Sequence, residues 1–286
     1  MNIKRTIYKF LTKIGFKVYT KKQKRTLLKK NKLSNSSNFD SVIFFTTHKC
    51  ASNFISKLLE TVDKNTEFTH YDYGGLVGSV ADKINQKAPF EPYLNKNYKH
   101  LFNSRGEIYG PQRRPLNFSS INLYKKIFFL RDPRDVLISS FYSFGKTHAP
   151  PSQKILKLDF YKEREKINSL GLEQYAIYKS DEILEIYLSY KNLKEMSESC
   201  IYLKYDDYVI DTSYFLKTIF NFLNISIDQM EIDKLISLAD PIQPTKDDTK
   251  HKRSGTLDQW KSELSKETQK KLNEKFNDIL KYWEFI

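Results

Sequence analysis

The chain has 286 residues, 40% of them hydrophobic and 14% aromatic, enough apolar material for one large α/β domain or two small ones. That composition argues against disorder and against a solenoid of short repeats. The formal charge of +14 is unevenly spread: the first 39 residues hold 12 lysines and arginines and no acid, leaving 36 cations against 34 acids from Asp40 onward. A near-neutral body weakens the reading of a basic chain as a nucleic-acid binder, and no specific nucleic acid is expected. Having only Cys50 and Cys200 argues against a disulfide framework, and a reducing compartment, the cytoplasm, is the default. No run of about 18 apolar residues offers a membrane span, and no His, Asp and Glu set has the spacing of a metal site.

Residues 1–38 read as a basic arm and linker, and 39–286 as the folded domain. In the arm, Ile3, Ile7, Phe10, Leu11, Ile14 and Val18 fall on one helical stripe, with Lys4, Arg5, Lys9, Lys13 and Lys17 off it. Two readings stand side by side. Residues 1–32 attach the chain to an anionic membrane surface, on its inner side, or the helix packs on the domain with its lysines in water. Leu33 to Asn38, rich in Asn and Ser, is a linker.

The run Ser41 to Thr47 is β-branched and aromatic without polar alternation, as in a buried parallel strand. His48 to Ala51 then forms a tight turn into a helix carrying Phe54, Ile55, Leu58, Leu59 and Val62. Glu67 to Tyr73 is extended, Gly74 to Gln86 helical, and a strand lies near Glu107 to Tyr109. Lys126 to Arg131 is a second buried strand, followed by a helix with Asp132 as its N-cap and Pro133 at its first position. A long helix is expected over Leu170 to Met196, a strand over Cys200 to Lys204, and a helix over Thr212 to Leu223. Asp240 to Gln259 reads as a polar loop, and Ser262 to Tyr282 as a last helix. Alternating strands and helices imply a three-layer α/β/α architecture around a central parallel sheet.

Such a sheet carries its ligand at the carboxyl edge, where helix amino ends offer N–H groups and a dipole to an anion. In the first turn Lys49, Ser52 and Asn53 add a cation, a hydroxyl and an amide, a set suited to phosphate or sulfate. The turn contains no glycine and is not the Gly-x4-Gly-Lys-Ser/Thr loop of nucleotide triphosphatases. In the second unit Arg131 ends a strand and Ser139 lies two turns along the helix. Arg134 and Asp135 read as local partners there.

These segments resemble the sulfotransferases that use 3′-phosphoadenosine-5′-phosphosulfate (PAPS). His48-Lys49-Cys50-Ala51-Ser52-Asn53-Phe54-Ile55 is similar to the family's 5′-phosphosulfate loop, commonly Pro-Lys-Ser-Gly-Thr-Thr-Trp-Leu, and Leu130 to Ser139 to its 3′-phosphate strand and helix. Arg253 to Lys261 resembles the late Arg-Lys-Gly-x4-Trp-Lys segment, and Tyr205-Asp206-Asp207 the family's Tyr-Glu-Asp. The resemblance implies a P-loop-like sulfotransferase fold and transfer of a sulfuryl group from PAPS to a hydroxyl of a glycan, lipid or small molecule. By position it assigns Lys49, Cys50, Ala51, Ser52 and Asn53 to the 5′-phosphosulfate. Arg131, Ser139, Arg253, Ser254 and Gly255 go to the 3′-phosphate, and Phe54 and Tyr205 to adenine.

The departures from the pattern are as informative. Cys50 and Ala51 replace Ser and Gly, which is tolerable where the loop needs no positive φ. Ser254 stands where a lysine is common. The cytosolic members' Lys-Thr-His segment corresponds to Tyr109-Gly110-Pro111, which holds no histidine. Lys49 is the candidate for stabilising the leaving phosphate. Candidates for the base are His70, Glu67 and Asp72, His70 because histidine titrates near neutral pH, with His48 beside the loop as an outsider. Arg113 and Arg114 suit an acidic acceptor. The alternatives are a nucleotide-dependent phosphoryl transferase on a related fold, or a non-catalytic module binding membrane or nucleic acid through its arm.

Overall fold

The computed structural model describes residues 38–74, 91–150, 154–239 and 256–286. The expectations for the arm up to residue 37, for the helix beyond Gly74, and for most of the loop after Ala239 lie outside the described residues. That loop includes Arg253, Ser254 and Gly255.

Among the described residues five strands form one sheet: β1 (Val42–Thr46), β2 (Thr69–Tyr71), β3 (Glu107–Gln112), β4 (Lys125–Leu130) and β5 (Cys200–Lys204). They run in the order β2-β3-β1-β4-β5, every neighbouring pair parallel. The apolar runs are explained by burial on both faces. Ile43, Phe45, Tyr109, Phe128 and Leu130 enter one core, and Val42, Phe44, Ile108, Ile127 and Phe129 the other. On the second face lie α1 (Ser52–Asn65), α6 (Tyr205–Ile210), α7 (Thr212–Leu223) and α8 (Gln229–Ala239), through Leu58, Phe215, Ile219 and Leu235 among others. The three-layer expectation is met. At about 1.5–3 kcal/mol for each large apolar side chain removed from water, these two cores dominate the favourable side of folding.

Among the described residues between β2 and β3 are two short helices, α2 (Glu91–Lys96) and α3 (Tyr98–Leu101). The helix α4 (Pro133–Tyr142) follows β4 and runs into a π-helical turn over Ser143–Thr147. The long helix expected from Leu170 begins well before it: α5 (Lys154–Glu195) is broken at Gly171 (φ 70, ψ 172). A Cβ at Gly171 would meet no atom within 4 Å, so backbone conformation, not space, selects glycine there. α8 went unanticipated. The chain closes with α9 (Gln259–Glu263) and α10 (Lys266–Tyr282), which starts four residues later than expected because Ser265 caps it, accepting from Thr268 N–H at 3.3 Å.

The second half of α5 fixes the carboxyl edge of the sheet. The Tyr190 hydroxyl donates to the Thr46 carbonyl at 2.7 Å and faces that of Gln112 at 3.3 Å, and the Tyr187 hydroxyl donates to the Arg131 carbonyl. Two buried tyrosines one helical turn apart thus tie down the ends of β1, β3 and β4. Burial holds both phenols well above their ordinary pKa, so they remain donors.

Candidate active site

The turn from β1 to α1 achieves without glycine what such turns commonly need glycine for. Lys49 (φ 67) and Ala51 (φ 44) are both left-handed. The condition under which Ala51 is harmless, a loop with no positive φ, is therefore not met, and the strain is on the order of 1 kcal/mol per residue. Compensation comes from below. The Cys50 thiol is fully buried against the Phe129 carbonyl at 3.4 Å, and burial pushes its pKa up to about 12. Cys50 can therefore offer a ligand only its backbone.

The amino end of α1 is open. Its N-cap, Ala51, supplies no side-chain hydrogen bond, and its first turn holds no acid. Ser52 is half-buried and Asn53 exposed at this end. With the dipole of a 14-residue helix behind them, these N–H groups suit an anion. Lys49 stands in front, its pKa lowered to about 8 by burial and then by the charge of Arg131.

Arg131 lies where β4 gives way to α4. Its guanidinium is 3% exposed, donates to the Thr256 carbonyl at 2.9 Å and to Asp135 Oδ2 at 3.3 Å, and reaches the Lys49 carbonyl at 3.4 Å. Its Nε is buried with no hydrogen-bond partner. Tyr205 lies 4.5 Å from its guanidinium carbon in a cation–π contact.

The two helix amino ends differ in a way the sequence reading did not foresee. The Asp132 side chain caps α4, accepting from Arg134 N–H at 2.8 Å, and the same carboxylate is gripped by the Arg134 guanidinium. Arg134 also stacks on Trp260 at 3.7 Å. Asp135 is more than a local first-turn acid: it pairs with Arg131 and accepts from Trp260 N–H at 3.1 Å, joining α4 to α9. Of the two ends, α1 alone is left open to an outside anion.

The remaining candidates divide. Ser139 is half-buried on α4. Phe54 packs into the core, 4.9 Å from Tyr208 and 6.5 Å from Phe215 between ring centroids, and Tyr205 is buried beneath Arg131. Neither presents an open stacking face for a base. β2 runs parallel to β3, so Glu67, which precedes it, is exposed at the opposite, amino edge. His70 pairs with Ile108, level with the start of β1, and its Nε2 lies 2.7 Å from the Gly110 carbonyl. A carbonyl only accepts, so that nitrogen holds a proton. Asp72 does reach the carboxyl edge, accepting from the Ser56 hydroxyl at 3.4 Å and flanking Gly74 together with Arg113.

A cavity of about 260 Å3 opens beside the turn. Thr47 and His48 line one end, Ser140 and Leu137 come from α4, and Phe144, Phe160 and Ile167 form an apolar wall. Arg114 pairs with Glu182 at 2.6 Å at its rim. The sequence reading missed this wall, although Phe160, Arg164 and Ile167 recur at i, i+4 and i+7.

Comparison with protein families matches residues 39–284 to the sulfotransferase domain. Comparison with curated protein sequences finds no match. Among solved structures, the chain is similar to mouse sulfotransferase SULT7A1 complexed with PAP, at 16% identity and a TM-score of 0.53 over 84% of each chain. A sulfotransferase from Alicyclobacillus acidocaldarius aligns at 13% identity and a TM-score of 0.41, covering 85% of this chain and 93% of the other. The family match spans the whole sheet, both strand-turn-helix units and the cavity, and this chain belongs to the sulfotransferase family.

Proposed function

We propose that the protein transfers the sulfuryl group of PAPS to a hydroxyl of a small-molecule acceptor held in the cavity. The observation that carries this reading is the meeting of two cations, Lys49 and Arg131, at the open end of α1. Each is packed by protein, each raises the electrostatic cost of the other, and one Arg131 nitrogen lacks a partner. An anion with two separated phosphate-like groups satisfies them both.

Lys49, the N–H groups of Cys50 to Asn53 and the Ser52 hydroxyl would hold the 5′-phosphosulfate. As the sulfur–oxygen bond to the 5′-phosphate breaks, negative charge builds on that phosphate, and Lys49 with the α1 dipole stabilises it without reorganisation. Arg131 and Ser139 would hold the 3′-phosphate, with Arg253, Ser254 and Gly255 closing over it. Tyr205 supports Arg131 from below, and Phe54 steadies α1 from the core. Tyr187 and Tyr190 keep the turn and Arg131 in register.

The two cysteines are unpaired, which fits a reducing compartment such as the cytoplasm, and the basic arm would bring the enzyme to an anionic membrane surface. Among the described residues no helix is long and apolar enough to cross a membrane. Incubation with radiolabelled PAPS and a panel of hydroxyl acceptors tests the reaction. Transfer is expected, and Lys49→Ala is expected to lower kcat by about 10²–10³. A protein that sulfates no hydroxyl in the panel, or a fully active Lys49→Ala, would refute the reading.

A further inference from the structure

We propose that His48 is the catalytic base and that its acceptor is a small apolar alcohol or phenol seated in the cavity, an inference that rests on the sulfotransferase reading above. At about 260 Å3 the cavity falls below the roughly 300–1,000 Å3 of pockets for drug-sized ligands, and its apolar wall gives a ring-sized body its place. The polar groups at the end nearest Lys49 are few. Thr47 is buried beside Tyr187, Ser140 is 7% exposed, and His48 adjoins Lys49 in the chain. Lys49 acts electrostatically on His48, so an acceptor hydroxyl seated at His48 would face the residue that receives the phosphosulfate.

The surroundings of His48 hold its imidazole in the neutral form, free to accept a proton. Arg113 and Arg114 face it from the segment after β3, Lys49 from its own turn and Glu182 from α5. The Phe144 ring meets it edge-on at 6.3 Å, and His148 packs 5.4 Å from that same ring. Although the His48 side chain reaches water at the mouth, the protein packed around it, and then Arg113, Arg114 and Lys49, lower its pKa to about 4. The imidazole is therefore unprotonated at neutral pH. The other candidates are placed less well: Glu67 is at the far edge, His70 is engaged by Gly110, and Asp72 lies outside the cavity lining beside Ser56.

In the step, an imidazole nitrogen takes the acceptor's hydroxyl proton as the acceptor oxygen bonds to sulfur. The bond between sulfur and the bridging oxygen of the 5′-phosphate breaks, and its electron pair leaves with that phosphate. His48 ends as imidazolium and the donor as PAP. The negative donor offsets the three cations around His48, so with donor bound the acid limb of kcat/KM for the acceptor lies above about 4.

The test compares 2-naphthol with 4-nitrophenol, which is largely ionised at about pH 8 and needs no base, using radiolabelled PAPS and the full chain. His48→Gln is expected to lower kcat for 2-naphthol by about 10²-fold or more and for 4-nitrophenol by less than about tenfold, with PAP affinity within about threefold by calorimetry. The acid limb is expected to vanish. Equal losses with both phenols, an unchanged kcat, or PAP affinity lost in both His48→Gln and His48→Asn would overturn the assignment. A wild-type protein that binds PAP but sulfates neither phenol would overturn it too, leaving the donor site intact. One that does not bind PAP at all would remove the underlying reading.

Discussion

Lys49 offers a quantitative test because its free-state pKa of about 8 lies well below the ordinary lysine value of 10.5. Burial and the charge of Arg131 cause the depression, and a phosphate bound between the two cations reverses it. Above pH 7 the phosphates of PAP are ionised, so the pH dependence of binding in that range reports on the protein. Between pH 8 and 10.5 the free protein has lost a proton that the complex keeps, and affinity falls by about tenfold for each pH unit. Because the ammonium is only half-buried, solvent reduces the total, and about 30- to 100-fold is expected over that interval. Proton uptake on binding is about half at pH 8 and about 0.9 at pH 9. The free fold shows the opposite sign: its unfolded chain binds the proton more tightly, so Lys49's contribution to stability rises with pH through the same interval. Calorimetry of PAP binding in buffers of different ionisation enthalpy measures both affinity and protons. An affinity constant from about pH 7.5 to 9.5, or the same pH dependence in Lys49→Met, would refute the reasoning.

Three further outcomes are expected. Ala51→Gly relieves a left-handed alanine at φ 44 and raises the unfolding free energy measured in urea by up to about 1 kcal/mol, whereas a loss of that size would contradict the strain argument. Arg134→Met leaves Asp132 buried without its ion-pair partner and costs about 3–5 kcal/mol, with Asp132→Asn recovering part of it; a cost under about 1 kcal/mol in urea unfolding would show that the pair and the Trp260 stack matter little. The full chain is expected to float with anionic and not neutral liposomes, and a chain lacking residues 1–32 to stay behind; equal flotation would rule out membrane attachment by the arm.

The strands were legible because burial on both faces removes polar alternation, leaving runs such as Val42 to Phe45 and Ile127 to Leu130. Lys49 and Arg131 were legible because a cation where a parallel strand ends reaches the carboxyl edge. What remained hidden depends on three-dimensional pairing. The direction of β2 sends Glu67 to the wrong edge, and the Gly110 carbonyl occupies His70. Phe54 and Tyr205 carry rings suited to adenine, yet Tyr208, Phe215 and Arg131 claim them. The capping of α4 by Asp132 is visible in the sequence, whereas the uncapped end of α1 shows only in the left-handed Ala51 that precedes it. The cavity wall on α5 lies ahead of the expected helix start at Leu170, although Phe160, Arg164 and Ile167 already carry helical spacing.

On the proposed reading, the open end of α1, with Lys49 and Arg131, receives a nucleotide bearing both 5′- and 3′-phosphate groups. Parallel calorimetric titrations with PAP and with ATP, on the wild type and on Arg131→Lys, test it most directly. That variant keeps a charge for Asp135 but loses the guanidinium fork. PAP is expected to bind at least about tenfold more tightly than ATP, and Arg131→Lys to lose about tenfold or more toward PAP alone. Preference for ATP, or an Arg131→Lys variant that binds PAP as the wild type does, would contradict it.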